Sequence, residues 1–272
     1  MIYRTFLHLP GIDQKGERRL WAAGIEDWWD FLAAESVPGF STARLRRQKE
    51  ALRFFLSFAD DLVSLAAYLK RRHHWRFFEP FGKNALFLDI ETDGLKKDQS
   101  RVTVLGLSDG VRYRAFVAGE DLEEGLEILA AHPFWVTFGG SFFDWPFLRH
   151  HYPWLPEPVV HLDLCPLLRR LGLRGGLKRI EKMVGLSRPE EVEGLDGFEA
   201  VRLWWRYRRG DERALRRLIL YNRQDVENLP LLARLAYEGL RSLALTGKIP
   251  ALTVSSEPRK TRREEDGRFV QF

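Results

Sequence analysis

The order of apolar segments after residue 84 constrains the fold more than any other feature of this chain. Seven segments follow one another there, and their periodicity predicts strand 85–91, strand 102–107, strand 111–117, helix 121–131, strand 134–138, helix 144–151 and strand 159–162. Turns at Asp93-Gly94 and Asp109-Gly110 join the first three segments, so we expect those strands to pair in antiparallel fashion. The sequence therefore predicts an α/β domain in which three antiparallel strands precede alternating helices and strands.

The residues before this region are predicted to be helical and are rich in Trp and Phe. We expect a short helix over 14–23, a second over 26–35, and a long amphipathic helix from about Ser41 to Arg72. Ser41 or its neighbour Thr42 is a suitable cap for the long helix, because a hydroxyl oxygen can accept from the first free backbone N–H groups.

The residues after this region are also predicted to be mainly helical, from Cys165 to Leu243, with breaks at 175–176 and 185–194. The last residues are polar and charged and have little capacity to form a core, which is typical of a flexible tail. We therefore predict three parts: a helical N-terminal region at 1–82, an α/β domain at 83–245, and a basic, flexible tail at 246–272.

The composition is that of a globular protein, and its basic charge mildly favours an anionic partner. The formal net charge is +5, and 33 of the 43 basic residues are arginine, whose guanidinium suits phosphate recognition. A GC-rich genome would give the same arginine bias, so composition alone does not establish nucleic-acid binding. Cys165 is the single cysteine, which excludes an intramolecular disulfide and a thiolate zinc cluster. No stretch approaches the roughly 18 apolar residues that a membrane span needs. The N-terminus lacks a signal-peptide pattern, so we expect a cytoplasmic protein with no membrane partner.

Two carboxylates, Asp89 and Glu91, interrupt the first predicted strand. Side chains alternate along a strand, so these two face one side while Leu88 and Ile90 face the other. Neighbouring carboxylates repel each other and are costly to desolvate, and a bound Mg²⁺ or Mn²⁺ removes that cost. The alternative is an edge strand whose acidic residues simply face water.

Two later segments carry further acidic residues. Asp144 opens the second predicted helix of the domain, where it could be a metal ligand or only a helix cap. Tyr221 and Asp225 are four residues apart, so they lie on one face of a helix. Asp225 could instead form a surface ion pair with Arg223 or Arg217.

Together, the pattern D-x-E, then F-D, then Y-x-x-x-D resembles the three exonuclease motifs of the DnaQ-like superfamily in its DEDDy branch. The chain is similar to the YprB-type ribonuclease H-like family within that superfamily. The further matching segments are residues 6–12, 161–164, 176–181 and 221–229. The resemblance therefore covers almost the whole chain apart from the tail, and it implies the α/β ribonuclease H-like fold with a helical N-terminal region.

The resemblance implies a 3′–5′ exonuclease that hydrolyses single-stranded nucleic acid, DNA or RNA, by a two-metal mechanism. Asp89, Glu91, Asp144 and Asp225 would hold two Mg²⁺ or Mn²⁺ ions, and Tyr221 would orient the attacking water. Two alternatives stay open: a catalytically silent nucleic-acid-binding scaffold, and a structure-specific endonuclease on the same fold.

Contacts to substrate are predicted at two places, just after Glu91 and on a later helix. Related enzymes contact the terminal nucleotide near Thr92 and Leu95, which could equally form a plain turn. Lys178 and Lys182 share one helix face and could follow a phosphate backbone, or could form a solvated surface. The middle motif departs from the family pattern, since Gly139 stands where related proteins often have Asn.

Overall fold

The structure is a computed structural model that describes residues 1–253; the predicted tail lies outside the described residues from 254 onward. The strands are β1 (Leu86–Thr92), β2 (Val102–Ser108), β3 (Tyr113–Val117), β4 (Phe134–Thr137) and β5 (Val160–Asp163). The helices before β1 are α1 (Gln14–Ala22), α2 (Trp28–Ala33), α3 (Thr42–Leu56), α4 (Leu62–Ala66) and α5 (Phe78–Phe81). The later helices are α6 (Leu122–Ala131), α7 (Asp144–His151), α8 (Leu164–Arg170), α9 (Leu177–Val184), α10 (Gly197–Tyr207), α11 (Glu212–Glu227) and α12 (Leu229–Thr246). Among residues 1–253, no helix is long and apolar enough to cross a membrane.

The five strands form one mixed sheet in the order β3-β2-β1-β4-β5. Strands β1, β2 and β3 pair in antiparallel fashion, while β4 and β5 extend the sheet in parallel with β1. This confirms the predicted α/β class and the three antiparallel strands. Strand β1 is central and has a neighbour on each side, so the edge-strand alternative is wrong.

Helices cover both faces of the sheet. On one face, Leu88 and Ile90 of β1 pack in a core with Leu126 of α6 and Leu148 of α7. On the other face, α10 and α11 pack against β2 and β3 in a core that contains Leu218. The central strand is therefore buried on both sides, and any polar side chain on it must find a partner inside the protein.

The N-terminal region shares a core with the domain, because apolar residues such as Phe6 and Trp28 belong to the same buried cluster as residues of α8 and α12. Inside this core, Arg76 and Glu17 form an ion pair at 2.7 Å in which both side chains are about 2% exposed. The hydroxyl of Thr5 also donates to Glu17 at 2.8 Å, so the buried carboxylate has donors besides the guanidinium. The boundaries proposed at 82 and 245 stay predictions.

Two predicted elements differ in the structure. The single helix predicted from Ser41 to Arg72 is wrong: α3 is capped by Ser41 as expected but ends at Leu56, and α4 and a 3₁₀ helix at Arg71–Phe77 follow. After a turn at residues 57–60, Asp61 accepts a hydrogen bond from the N–H of residue 63 and starts a separate helix. Strand β3 starts two residues later than predicted, because the Asp109 carboxylate accepts from the N–H groups of residues 111 and 112 and extends the turn.

Candidate metal centre

Strand β1 carries the first two carboxylates of the candidate site. Asp89 and Glu91 lie on the face of the sheet that α11 covers, since both accept hydrogen bonds from a side chain of that helix. Leu88 and Ile90 belong to the core on the opposite face. The alternation predicted from the sequence is therefore confirmed, and it directs both carboxylates into the protein.

Asn222 of α11 links the two carboxylates, and sequence reasoning missed it. Its amide Nδ2 donates to Asp89 Oδ2 at 2.9 Å and to Glu91 Oε1 at 3.3 Å, while its Oδ1 accepts from the Tyr113 hydroxyl at 2.8 Å. Helix and sheet approach closely here: a Cβ at Gly106 would lie 1.8 Å from Asn222 Oδ1. Glycine at 106 therefore allows α11 to reach the strand.

Three carboxylates converge at this point. One oxygen from each of Asp89, Glu91 and Asp225 lies within 4.8 Å of the other two. Asp144 lies beside this group, and its Oδ1 accepts from the backbone N–H of Ile90 at 3.1 Å. The N-cap position of α7 is occupied by Phe143, and Asp144 is the first helical residue. The Asp144 carboxylate is therefore directed to β1 and is not the cap of α7.

Burial makes this group of acids electrostatically costly. Burial raises the pKa of Asp89 and Glu91 well above the usual carboxylate range, with further increases from the charges of Asp144 and Asp225 respectively. Burial likewise raises the pKa of Asp225, and that of Asp144 to about 7. Carboxylate oxygens are the ligands that hard divalent cations prefer, so the residues present fit Mg²⁺ or Mn²⁺.

A buried arginine, Arg188, supplies a positive charge to the cluster and was not predicted. It binds Glu181 through Nε at 2.6 Å and through Nη2 at 2.9 Å, and it donates from Nη2 to Asp225 Oδ1 at 2.5 Å. The surface pairing of Asp225 with Arg223 or Arg217 is therefore wrong. No local pattern marks Arg188, because it lies in a loop 37 residues from Asp225.

Tyr221 lies one helical turn before Asp225 and is 7% exposed. Burial raises the pKa of Tyr221 far above its ordinary value, and the charges of Asp225 and Glu91 add to this effect. Lys178 Nζ lies 4.6 Å from the centroid of the Tyr221 ring. The structure therefore brings Tyr221 and Lys178 to the acidic cluster, with the tyrosine hydroxyl protonated at neutral pH.

The other predicted substrate contacts divide into two kinds. The Thr92 hydroxyl donates to the carbonyl of Gly94 at 2.6 Å, which is a turn contact, while Leu95 in the same turn is 52% exposed. Lys182 is exposed and pairs with Glu193 at 3.3 Å. Leu95 is therefore free to touch a ligand, and Thr92 is engaged within the turn. The Lys182–Glu193 pair is exposed and weak, so Lys182 stays accessible to a phosphate.

Asp163 positions the loop that leads into α7. It caps α8, accepting from the N–H of Cys165 at 3.0 Å. It also accepts from the N–H groups of Gly139 at 2.8 Å and Ser141 at 3.1 Å. Gly139 has a φ of +80°, a conformation that glycine adopts without strain. The glycine at this point of the middle motif therefore shapes the backbone before Asp144.

The chain was compared with known sequences and solved structures. No curated protein sequence matches the chain. Similar solved structures include Brucella melitensis NrnC bound to pGG, with 21% identity over 62% of this chain and 79% of that one and a TM-score of 0.42. A structure described as the apo form of a nuclease has 20% identity over 66% and 81% and a TM-score of 0.46. The family B DNA polymerase of Pyrobaculum calidifontis has 18% identity over 60% and 27% and a TM-score of 0.44.

A family model gives the assignment. The RNase_H_2 model, of the RNase_H superfamily, matches residues 86–237, which is more than half of the chain. The match spans every strand of the sheet and the helices that carry Asp144, Tyr221 and Asp225. The chain therefore belongs to the RNase H superfamily and has the fold of RNase H-like nucleases.

Proposed function

We propose that this protein is a metal-dependent 3′–5′ exonuclease of single-stranded nucleic acid, in the DEDDy branch and of the YprB type. One observation supports this most strongly: the half-buried Asp89 and the buried Glu91 and Asp225 converge to within 4.8 Å, with Tyr221 one turn before Asp225. Folding alone gives no reason to gather such charges, because each one costs free energy to bury.

The carboxylates and Tyr221 would have different roles in this reaction. Asp89, Glu91, Asp144 and Asp225 would hold two divalent ions, Mg²⁺ or Mn²⁺. When bound, such ions supply a nucleophile at neutral pH and neutralise charge that develops on the phosphate. Tyr221 keeps its proton, so it can orient a water through hydrogen bonds but cannot act as the base that deprotonates it.

Lys178 would attract the phosphate of the substrate. Its ammonium is half-buried beside Tyr221, and burial lowers its pKa while the charge of Asp225 opposes that effect. A cation held at the edge of the cluster binds an anionic backbone without adding to the repulsion among the carboxylates. We place Leu95 at the terminal nucleotide because it is the exposed apolar residue of the turn that follows Glu91.

The test is cleavage of 5′-labelled single-stranded DNA and RNA with Mg²⁺ or Mn²⁺. We compare the wild type with Asp89→Asn and Asp225→Asn, which keep side-chain shape but remove the charge. Asp98→Asn is the matched control, since its carboxylate is 73% exposed and lies outside the cluster. We expect a ladder that shortens from the 3′ end and is lost only in the two cluster variants.

Other outcomes of this assay would support the endonuclease or the scaffold instead. Internal fragments from a circular or 3′-blocked substrate would indicate an endonuclease. Binding without any cleavage in either metal would indicate a scaffold that keeps the fold. Unchanged cleavage in Asp89→Asn and Asp225→Asn would show that the metal-ligand assignment is wrong.

A further inference from the structure

Helix α10 presents an exposed stripe that lies outside the apolar cores and has no role in the proposed chemistry. Phe198, Arg202 and Trp205 are spaced at i, i+4 and i+7, which places them on one face of the helix. Phe198 is 63% exposed, Trp205 is 47% exposed, and the Arg202 side chain is 71% exposed. The buried residues Leu203 and Trp204 hold the opposite face of α10 in the core.

The stripe leads to the acidic cluster. The indole Nε1 of Trp205 donates to the carbonyl of Asp93 at 3.1 Å, and Asp93 follows Glu91 by two residues. The same turn carries the exposed Leu95. The hydrogen bond holds the Trp205 ring beside the end of β1 and leaves about half of it open to solvent.

We infer that this stripe is a track for single-stranded nucleic acid that feeds the acidic cluster, an inference that rests on the proposed function. Exposed aromatic rings stack on bases whatever the sequence, and an arginine between them neutralises phosphate. Phe198 and Trp205 are about 10 Å apart along the axis, given 1.5 Å per residue, which is about three stacked nucleotides at 3.4 Å each.

The charge of this face favours a nucleic acid over a protein partner. Arg202 lies between the two rings, and the exposed Arg209 lies in the turn that follows α10. Glu199, three residues before Arg202, pairs with it at 2.7 Å. Both groups are solvent-exposed, so an incoming phosphate can replace that weak contact. A duplex would present its bases to each other, so the rings select unpaired strands.

The experiment measures binding of fluorescein-labelled single-stranded oligonucleotides by anisotropy in EDTA, where no turnover occurs. We expect Phe198→Ala and Trp205→Ala each to weaken binding about tenfold, the usual loss for one stacked base. Trp205→Phe should keep most of the wild-type affinity, because phenylalanine also offers a ring for stacking. Trp154→Ala is the matched control: its ring is 56% exposed but follows α7 on the other face of the sheet.

The salt dependence of binding tests the role of Arg202. Arg202→Gln removes one phosphate contact, so the slope of log affinity against log salt becomes shallower by about 0.7 for a single strand. Affinity for a blunt duplex changes little in any variant at these three positions. Thermal unfolding checks that each variant is folded, as expected for exposed side chains.

The outcomes separate this inference from the proposed function. If the variants bind single strands as tightly as the wild type while the wild type still shortens DNA or RNA, the track is wrong and the exonuclease stands. If the wild type binds in a stripe-dependent way but cleaves nothing, the track stands and the exonuclease fails. If the variants change only the association state of the protein, the stripe is a protein contact and the inference is overturned.

Discussion

Replacement of Arg188 by Met tests whether the acidic cluster depends on an internal positive charge. Arg188 is 7% exposed, and its partners are 1% exposed at Glu181 and 11% at Asp225. Met is unbranched and of similar length, so it fills the space without the charge. The change leaves two buried carboxylates without their cation, and Asn228, at 2.8 Å from Glu181, is a neutral donor that cannot neutralise the charge.

We expect Arg188→Met to lower the free energy of unfolding by about 3–5 kcal/mol in EDTA, the usual cost of removing one partner of a buried ion pair. Urea denaturation followed by the fluorescence of the nine tryptophans measures this loss. The matched control is Arg71→Met, because Arg71 and Glu157 form an exposed pair at 2.8 Å. That variant should lose less than about 1 kcal/mol.

A double-mutant cycle with Glu181→Gln identifies the cause. The double variant should lose less free energy of unfolding than the sum of the losses in Arg188→Met and Glu181→Gln. We expect a difference on the order of 0.5–3 kcal/mol, because the second change removes a charge that the first left unpaired. Added Mn²⁺ should recover part of the loss, since a bound cation can replace the guanidinium at Asp225. A loss below about 1 kcal/mol in EDTA, with additive single changes, would refute the role of Arg188 as counter-charge.

Two further substitutions test packing and titration. Gly106→Ala places a Cβ 1.8 Å from Asn222 Oδ1, and we expect urea denaturation to show a loss of about 1–3 kcal/mol; unchanged stability would mean that helix and sheet are not in close contact there. Burial, and then the charge of Arg76, lower the pKa of His8 to about 3. Between pH 6.5 and about 3, His8 is therefore protonated in the unfolded chain but neutral in the folded protein. The free energy of unfolding then falls by up to about 1.4 kcal/mol per pH unit as the pH drops through this window. His8→Phe keeps the ring contact with Phe55, 4.3 Å between centroids, and should flatten this pH dependence; an identical slope in both proteins would refute the burial argument.

The sequence was sufficient to predict the order of strands and helices in the domain. Periodicity is a local property, so the alternation of Asp89 and Glu91 with Leu88 and Ile90 already predicts two opposite faces. The helix at Asp144–His151 was predicted with its observed bounds. The long helix over 41–72 was not, because its apolar spacing continues past the end of α3 at Leu56 and past Asp61, which caps a separate helix.

Only the tertiary structure decided what surrounds the carboxylates. Arg188 reaches Asp225 and Asn222 reaches Asp89 across 37 and 133 residues of sequence, and no spacing rule connects positions so far apart. Gly106 matters because α11 crosses β2 at that residue, which is a property of packing and not of the strand pattern. The sequence by itself determined which side chains could carry the chemistry; burial, and the partners that burial requires, were decided by how the helices pack on the sheet.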